Sequence, residues 1–281
     1  MAALTGRDTA TKVRCVSVVE RDSSAGATDN WDRHWTSYAA ATERNPAQSY
    51  RRKLVFELLD LAAARRPVRV LELGSGQGDF ARELATGFPG AEVAGLELSE
   101  TGVAIASRKV PSGRFFVCDM SRPVTPPPGL AGWATHAVCS EVLEHVDDPS
   151  AMLRNVRSML APGCKLIITV PGGPMSAFDH HIGHRGHFTV ARLTQVIRDA
   201  GLEPAAVRGA GFPFFNLYRL LVVLRGRALI KDIDQADERP LPWTARRAMQ
   251  MFDYLFRWNR SDAGGWQLVA HAFEPAVTAR E

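Results

Sequence analysis

Cysteine is scarce and poorly spaced for metal or redox work: the four residues, Cys15, Cys118, Cys139 and Cys164, form no C-x-x-C pair. That spacing excludes a zinc ribbon and a dithiol motif. The last three fall in or beside expected core strands, where a buried thiol behaves as a small apolar side chain. Long apolar runs are missing too. The longest, Leu220 to Leu224, lies in a stretch interrupted by Asn216, Arg219, Arg225 and Arg227, too polar to span a bilayer. The N-terminus lacks an apolar segment of the signal-peptide kind, so a cytoplasmic protein is expected. Basic residues outnumber acidic ones, for a net charge of +4, yet they occur only as short pairs such as Arg51-Arg52, Arg65-Arg66 and Arg246-Arg247. A nucleic-acid binder gathers its cations on one face, so no nucleic-acid partner is expected.

What is present is a strand that runs into glycine. Residues 68–73 are aliphatic and β-branched and follow Arg65-Arg66-Pro67, which reads as a buried strand. The strand ends on Gly74, Gly76 and Gly78, and from Asp79 the spacing of Phe80, Leu84 and Phe88 reads as a helix. Glycines in such a turn permit positive φ and let a ligand lie on the backbone. The spacing is neither G-x-G-x-x-G nor a phosphate loop ending in Lys-Ser/Thr. Glu72 places a carboxylate at the lip, which repels a pyrophosphate and suits a cationic amino-acid tail. A second strand, 91–96, is followed by Glu97, placed to accept two ribose hydroxyls, the role of an acid about 20 residues beyond such glycines. A third, 114–118, runs into Asp119-Met120, where a carboxylate could take an adenine amino group. Three acids at three strand ends, with no phosphate binder, fit S-adenosylmethionine better than a dinucleotide.

E-L-G-S-G-Q-G at 72–78, G-L-E-L-S at 95–99, C-D-M at 118–120 and C-S-E-V-L-E-H-V-D-D-P at 139–149 together resemble a class I S-adenosylmethionine-dependent methyltransferase. The resemblance runs over residues 31–208 and is closest to the branch that includes the ubiquinone and menaquinone biosynthesis enzymes. It implies a doubly wound, mostly parallel, seven-stranded α/β sheet. The site it implies places Gly74, Gly76 and Gly78 in the cradle and Glu72 at the methionyl amino group. Glu97 with Leu98 would meet the ribose side, and Asp119 with Met120 the adenine, while Ser140 would line the transfer site.

Around that core the chain divides into a loose leader at 1–28, an N-terminal helical lid at 29–66, the core at 67–208, a helical cap at 209–262, and a closing strand and tail at 263–281. The lid holds Trp31, Trp35 and Tyr38 and an amphipathic helix at 50–64 with Leu54, Leu58 and Leu61 on one face. Tyr38 and Arg51 are the lid residues expected to reach the cofactor; equally, the aromatics could simply staple the helices to the core. Strands at 135–139 and 165–170, with helices at 79–87, 99–109, 150–160 and 190–200, complete the strand–helix alternation of βαβ units.

Two clusters carry candidate chemistry. Ser140-Glu141-Val142-Leu143-Glu144-His145 follows the fourth strand, and the family's N-P-P-Y motif for amide and base N-methylation is absent there. Glu141, Glu144 and His145 resemble the metal-binding acids and histidine of some relatives, although the same motif occurs in members without metal, and no metal is expected here. The second cluster has four histidines in eight positions, His180, His181, His184 and His187. His184, between Gly183 and Arg185, is the expected solvent-side general base, with His181 and Glu141 as further candidate catalytic groups. A solvated or helix-capping histidine is the competing reading. The expected function is methyl transfer to an oxygen, or a carbon or nitrogen, of a small, partly apolar acceptor. A non-catalytic S-adenosylmethionine-binding regulator and an RNA methyltransferase are the alternatives. The apolar cap at 211–230 could line the substrate pocket, mediate a homodimer or touch a membrane.

Overall fold

The computed structural model describes residues 45–64, 67–234, 243–261 and 264–276, with side chains at 231–234 left aside. Tyr38, Trp31, Trp35, Cys15, the 1–28 leader and most of the lid's aromatic half lie outside the described residues.

The first described helix, α1 (Pro46–Leu59), starts four residues earlier than the leucine spacing suggests. Asn45 caps it by accepting the Ala47 amide at 2.9 Å, and Pro46 sits at the first helical position, where its missing N–H is harmless. It ends at Asp60, which takes a left-handed conformation (φ 50°). Strand β1 (Arg69–Leu73) then leads through the glycine turn into α2 (Asp79–Gly87). β2 (Glu92–Glu97), α3 (Glu100–Lys109) and β3 (Arg114–Val117) follow. Ser99 caps α3 as expected, accepting the Gly102 amide at 3.0 Å. After β4 (Ala134–Ser140) come α4 (Pro149–Val156) and β5 (Leu160–Pro171). β5 starts earlier than its apolar core predicts because Leu160 pairs with Ala134 ahead of a register shift; regular pairing resumes at Lys165.

The chain continues through α5 (Ala177–His181), α6 (Val190–Asp199), β6 (Glu203–Ala210), α7 (Phe214–Asp234), α8 (Trp243–Leu255) and β7 (Gln267–Phe273). α7 is broken at Gly226, whose backbone is non-helical (φ 38°, ψ −112°). The histidine segment opens on α5 because Ser176 and Asp179 form a capping box that nucleates one helical turn.

The seven strands lie in the order β3-β2-β1-β4-β5-β7-β6, parallel except for β7, which runs antiparallel to both neighbours. Strand order reverses between β1 and β4, so the crevice beyond their carboxyl ends is the topological switch point where such sheets bind ligands. Alternate residues of the central strands bury opposite faces. Val70, Val93, Val138 and Ile167 pack against α1 and α2, whereas Leu71, Leu96, Cys139 and Ile168 join the core under α4 and α6. A third cluster, Tyr50, Phe215, Phe252 and Phe256, joins α1 to the helices between β6 and β7. Phe215 is fully buried there, and its truncation to Ala is expected to cost about 3–5 kcal/mol.

Candidate functional site

The glycine turn has the backbone that only glycine adopts without strain: φ is 77° at Gly74, 51° at Gly76 and 78° at Gly78. Close packing adds a second reason at two of these positions. A Cβ on Gly74 would stand 2.4 Å from Val142 Cγ2, and one on Gly78 would stand 2.9 Å from the Ala106 Cβ. The first glycine therefore lets the segment after β4 close on the turn, and the third lets α3 approach. The amides of Gly74 and Ser75 donate to the Leu96 carbonyl at 2.8 and 3.0 Å.

Glu97 is buried at the end of β2. Its Oε2 accepts the Gly76 amide at 2.8 Å and its Oε1 accepts the Ser99 amide at 3.0 Å. One carboxylate thus sets both the middle of the turn and the start of α3. Glu72, also buried, leaves Oε2 without a hydrogen-bond partner among the described residues, as does the Ser75 hydroxyl. Burial, reinforced by Asp79 and Glu97, pushes the Glu72 carboxyl well above the usual carboxylate range. An orphaned acid and hydroxyl beside a glycine turn form the cradle that an adenosyl amino acid with a cationic amino group fits.

The remaining expected cofactor contacts are differently placed. Leu98 is exposed beside Glu97. The Asp119 carboxylate is turned onto its own loop, accepting the Ser121 amide at 3.1 Å and hydroxyl at 2.5 Å, with Arg122 Nε 3.3 Å from Oδ2. Met120 is buried in the main core, and its carbonyl accepts from Asn155 Nδ2 at 3.0 Å.

Arg51, Glu141 and Ser140 share one polar network across the ends of β4, β5 and β7. Arg51 Nη2 lies 3.0 Å from Glu141 Oε2, and Arg51 Nε donates to Gln267 Oε1 at 2.8 Å. Glu141 Oε1 accepts from Gln267 Nε2 at 2.8 Å and from Thr169 Oγ1 at 3.1 Å, and Thr169 Oγ1 also lies 2.8 Å from Ser140 Oγ. Glu141 itself sits at φ 57°, a conformation rare for a residue with a Cβ. Sequence reasoning did not single out Gln267 or Thr169. The available signal was a lone polar residue at the switch-point end of an apolar strand, W-Q-L-V-A and I-I-T-V-P.

The histidine segment corrects one expectation: His184 does not face solvent, its side chain being 7 % exposed. The segment folds back on residues 143–145, with the Arg185 amide donating to the Glu144 carbonyl at 2.7 Å and the His184 ring edge-on to His145 at 4.7 Å. His187 Nδ1 lies 3.1 Å from the Gly173 carbonyl, which can only accept, so this nitrogen carries a proton. His187 Nε2 then accepts from His184 Nδ1 at 3.3 Å, leaving the lone pair of neutral His184 on Nε2, 4.0 Å from Glu144 Oε1. Burial, aided by His145, depresses the His184 pKa to about 3, and burial lowers that of His187 as well. His181 and His180 are exposed at the end of α5.

Glu144 is 1 % exposed, and neither carboxylate oxygen has a hydrogen-bond partner among the described residues. Burial first, then the nearby Glu141, holds its carboxyl well above the ordinary range. Two overlapping groups have metal-ligand spacing: Glu144, His145 and His184, and Asp179, His184 and His187. Arg219 already neutralises Asp179, so the first group, with its unpartnered carboxylate, is the better suited to a divalent cation.

The family profile described as "Methyltransferase domain" matches residues 47–207. A ubiquinone biosynthesis O-methyltransferase of Xanthomonas euvesicatoria pv. vesicatoria is 28 % identical over 223 residues, covering 72 % of this chain and 87 % of the relative. A trans-aconitate 2-methyltransferase of Paracidovorax citrulli is 30 % identical over 182 residues, covering 63 % and 66 %. Among solved structures, a [4+2]-cyclase, SpnF, superposes with a TM-score of 0.59 at 18 % identity, covering 90 % of this chain and 97 % of that one. That likeness shows the fold alone, since a shared fold hosts different chemistries. Other structures of this fold hold S-adenosylmethionine or S-adenosylhomocysteine. With the matched profile covering more than half of the chain and including the glycine cradle, the chain belongs to the methyltransferase-domain family of class I enzymes, and S-adenosylmethionine is its cofactor.

Proposed function

We propose that the chain methylates an oxygen nucleophile on a small, partly apolar acceptor. The observation that carries this reading is the acid and imidazole cluster in which His184 meets Glu144 and His145, the two residues that follow closely on Val142, whose side chain closes on Gly74 of the cradle. Such a cluster beside a methyl donor is what a protonated nucleophile requires, because a hydroxyl must lose its proton as the new bond forms. S-adenosylmethionine, when bound, supplies an electrophilic methyl group on a sulfonium. Gly74, Gly76 and Gly78 would line its amino-acid end with Glu72 at the amino group, Glu97 and Leu98 would serve the ribose, and Asp119 and Met120 the adenine. Ser140 would line the acceptor side. The chain's remaining task is to hold the nucleophile in line and keep water out.

Arg51 and Glu141 take a supporting role in this reading. Each is engaged by the other and by Gln267, so they fix the turn that carries Glu144 and His145. His184 Nε2 offers a lone pair for the acceptor proton, but its depressed pKa makes it a weak base unless Glu144 is ionised beside it. Proton removal is therefore assigned to Glu144 in its ionised form, whose raised pKa makes it the stronger base of the two.

The test is an acceptor screen using isotopically labelled methyl donor, with phenols, aliphatic hydroxyls, carboxylic acids and amines in parallel and products read by mass spectrometry. Label transferred to an oxygen of a phenol, alcohol or carboxylate supports the reading. Transfer confined to amines would overturn it, and binding of the cofactor without turnover of any acceptor would favour a regulatory protein.

A further inference from the structure

The helices inserted between β6 and β7 are apolar on two faces. The inner faces meet in the aromatic cluster of Phe215, Tyr218, Phe252 and Phe256. On the outer face of α7, Leu217, Leu220, Leu221 and Leu224 recur at i, i+3, i+4 and i+7, with exposures from 40 % at Leu220 to 73 % at Leu224. α8 and the turn that follows repeat the arrangement, with Phe252 and Phe256 inward and Met251, Tyr254 and Trp258 exposed. Trp243 is exposed at the start of α8. Among the described residues nothing covers these leucines on the far side of the helix from its packed face, so the stripe points to a partner.

Charge identifies the partner. Over the described residues 211–230 and 243–261 the exposed cations are Arg225, Arg227, Arg246, Arg247, Arg257 and Arg260, against the single exposed acid Asp253. Two of the arginines lie over exposed aromatic rings of the same insertion: Arg257 is 5.5 Å from the Tyr254 centroid and Arg260 is 5.9 Å from that of Phe212. A leucine stripe edged by Trp, Tyr and Arg is the composition of a helix lying in the headgroup region of an anionic bilayer. No helix among the described residues is long and apolar enough to cross a membrane, so the contact would be peripheral.

We propose that the outer faces of α7 and α8 dock the protein on an anionic phospholipid surface, with the leucines among the acyl chains and the arginines at the phosphates. Arg219 on α7 is paired with Asp179 of α5, so the docked face is coupled to the histidine segment. If the methyl-transfer reading holds, docking would favour acceptors that partition into a bilayer. The docking itself does not depend on that reading.

The test is co-sedimentation of the full chain with vesicles, comparing phosphatidylcholine alone with an equal mixture of phosphatidylcholine and phosphatidylglycerol. Wild type is expected to bind only the mixed vesicles, and to bind them more weakly in about 0.5 M NaCl as the headgroup attraction is screened. The doubly substituted L221E/L224E and R246E/R247E chains should each bind at least about tenfold more weakly, with unchanged circular dichroism and thermal unfolding. Absence of binding to mixed vesicles, or binding that L221E/L224E leaves intact, would overturn the proposal. So would a dimer in sedimentation velocity that vesicles do not dissociate and L221E/L224E abolishes, since a second copy would then cover this face.

Discussion

Arg219 of α7 and Asp179 of α5 form a buried ion pair in which one guanidinium nitrogen serves both carboxylate oxygens, at 3.0 and 2.9 Å. Ser176 donates to Asp179 Oδ2 through its amide and its hydroxyl, each at 2.7 Å. Asp179 belongs to the part of the chain that matches the family profile and Arg219 does not, so an arginine outside the matched residues fixes a segment within them. Burial alone would push the Asp179 carboxyl up, but Arg219 and Ser176 outweigh it and hold it below the usual range.

Removing that guanidinium leaves an uncompensated buried carboxylate. Arg219→Ala should lose about 3–5 kcal/mol of stability at neutral pH by denaturant unfolding, and the loss should shrink at acid pH, where Asp179 takes a proton. Arg219 also lowers the pKa of His184 and His187, so the variant's imidazole resonances should titrate at higher pH than those of wild type. Unchanged stability and unchanged histidine titration would show that the pair is incidental.

Gln267 holds together two groups more than a hundred residues apart from it, accepting from Arg51 and donating to Glu141. Gln267→Leu keeps the bulk and removes these hydrogen bonds together with the one from Nε2 to the Val170 carbonyl, leaving buried charged partners underserved. A loss of about 2–4 kcal/mol is expected, with weaker methyl transfer because the turn carrying Glu144 and His145 loosens. A variant as stable as wild type would mean that the network relaxes without penalty.

The buried histidine sets an acid limit on stability. The folded pKa of His184, about 3, lies below its unfolded value, so the group has no effect above about pH 6.5 and favours unfolding as pH falls below it. By about pH 4 the loss from this group approaches about 3 kcal/mol, and His187 acts in the same direction. His184→Gln should flatten the decline of thermal stability between about pH 6.5 and 4. An undiminished slope would place the acid limit elsewhere.

Glu144 acts in the opposite direction. Its carboxyl is raised in the fold, so its contribution is full below the unfolded pKa and is lost as pH rises through the folded one. Glu144→Gln should therefore be the more stable protein at alkaline pH. If Glu144, His145 and His184 bind a divalent cation, manganese at a hundred times its Kd should stabilise wild type by about 2.7 kcal/mol and leave Glu144→Gln unaffected. Equal responses of the two proteins would locate any ion elsewhere.

The glycine cradle and the sheet were legible because each signal was local. Gly74 and Gly78 are required by their own backbone angles, and Leu71 and Val70 reveal the two buried faces by alternation. The histidine segment was not. Nothing near His184 in the chain announces that residues 143–145 pack over it, or that Arg219, 40 residues beyond Asp179, anchors it. Gln267 lies 216 residues from the arginine it supports, a distance no periodicity spans. The start of α1 was missed for another reason: Asn45-Pro46 is a strong cap, but the leucine spacing drew the boundary further on.

We assign the cofactor to the turn at Gly74 to Gly78, which Glu97 holds. Isothermal titration of S-adenosylmethionine and S-adenosylhomocysteine into wild type and Glu97→Ala tests this assignment most directly, with NAD as the control ligand. Micromolar binding of both adenosyl ligands is expected, at least about tenfold weaker in the variant because a charged hydrogen-bond partner is lost, with no response to NAD. Binding that Glu97→Ala leaves unchanged, or a response to NAD alone, would contradict the assignment.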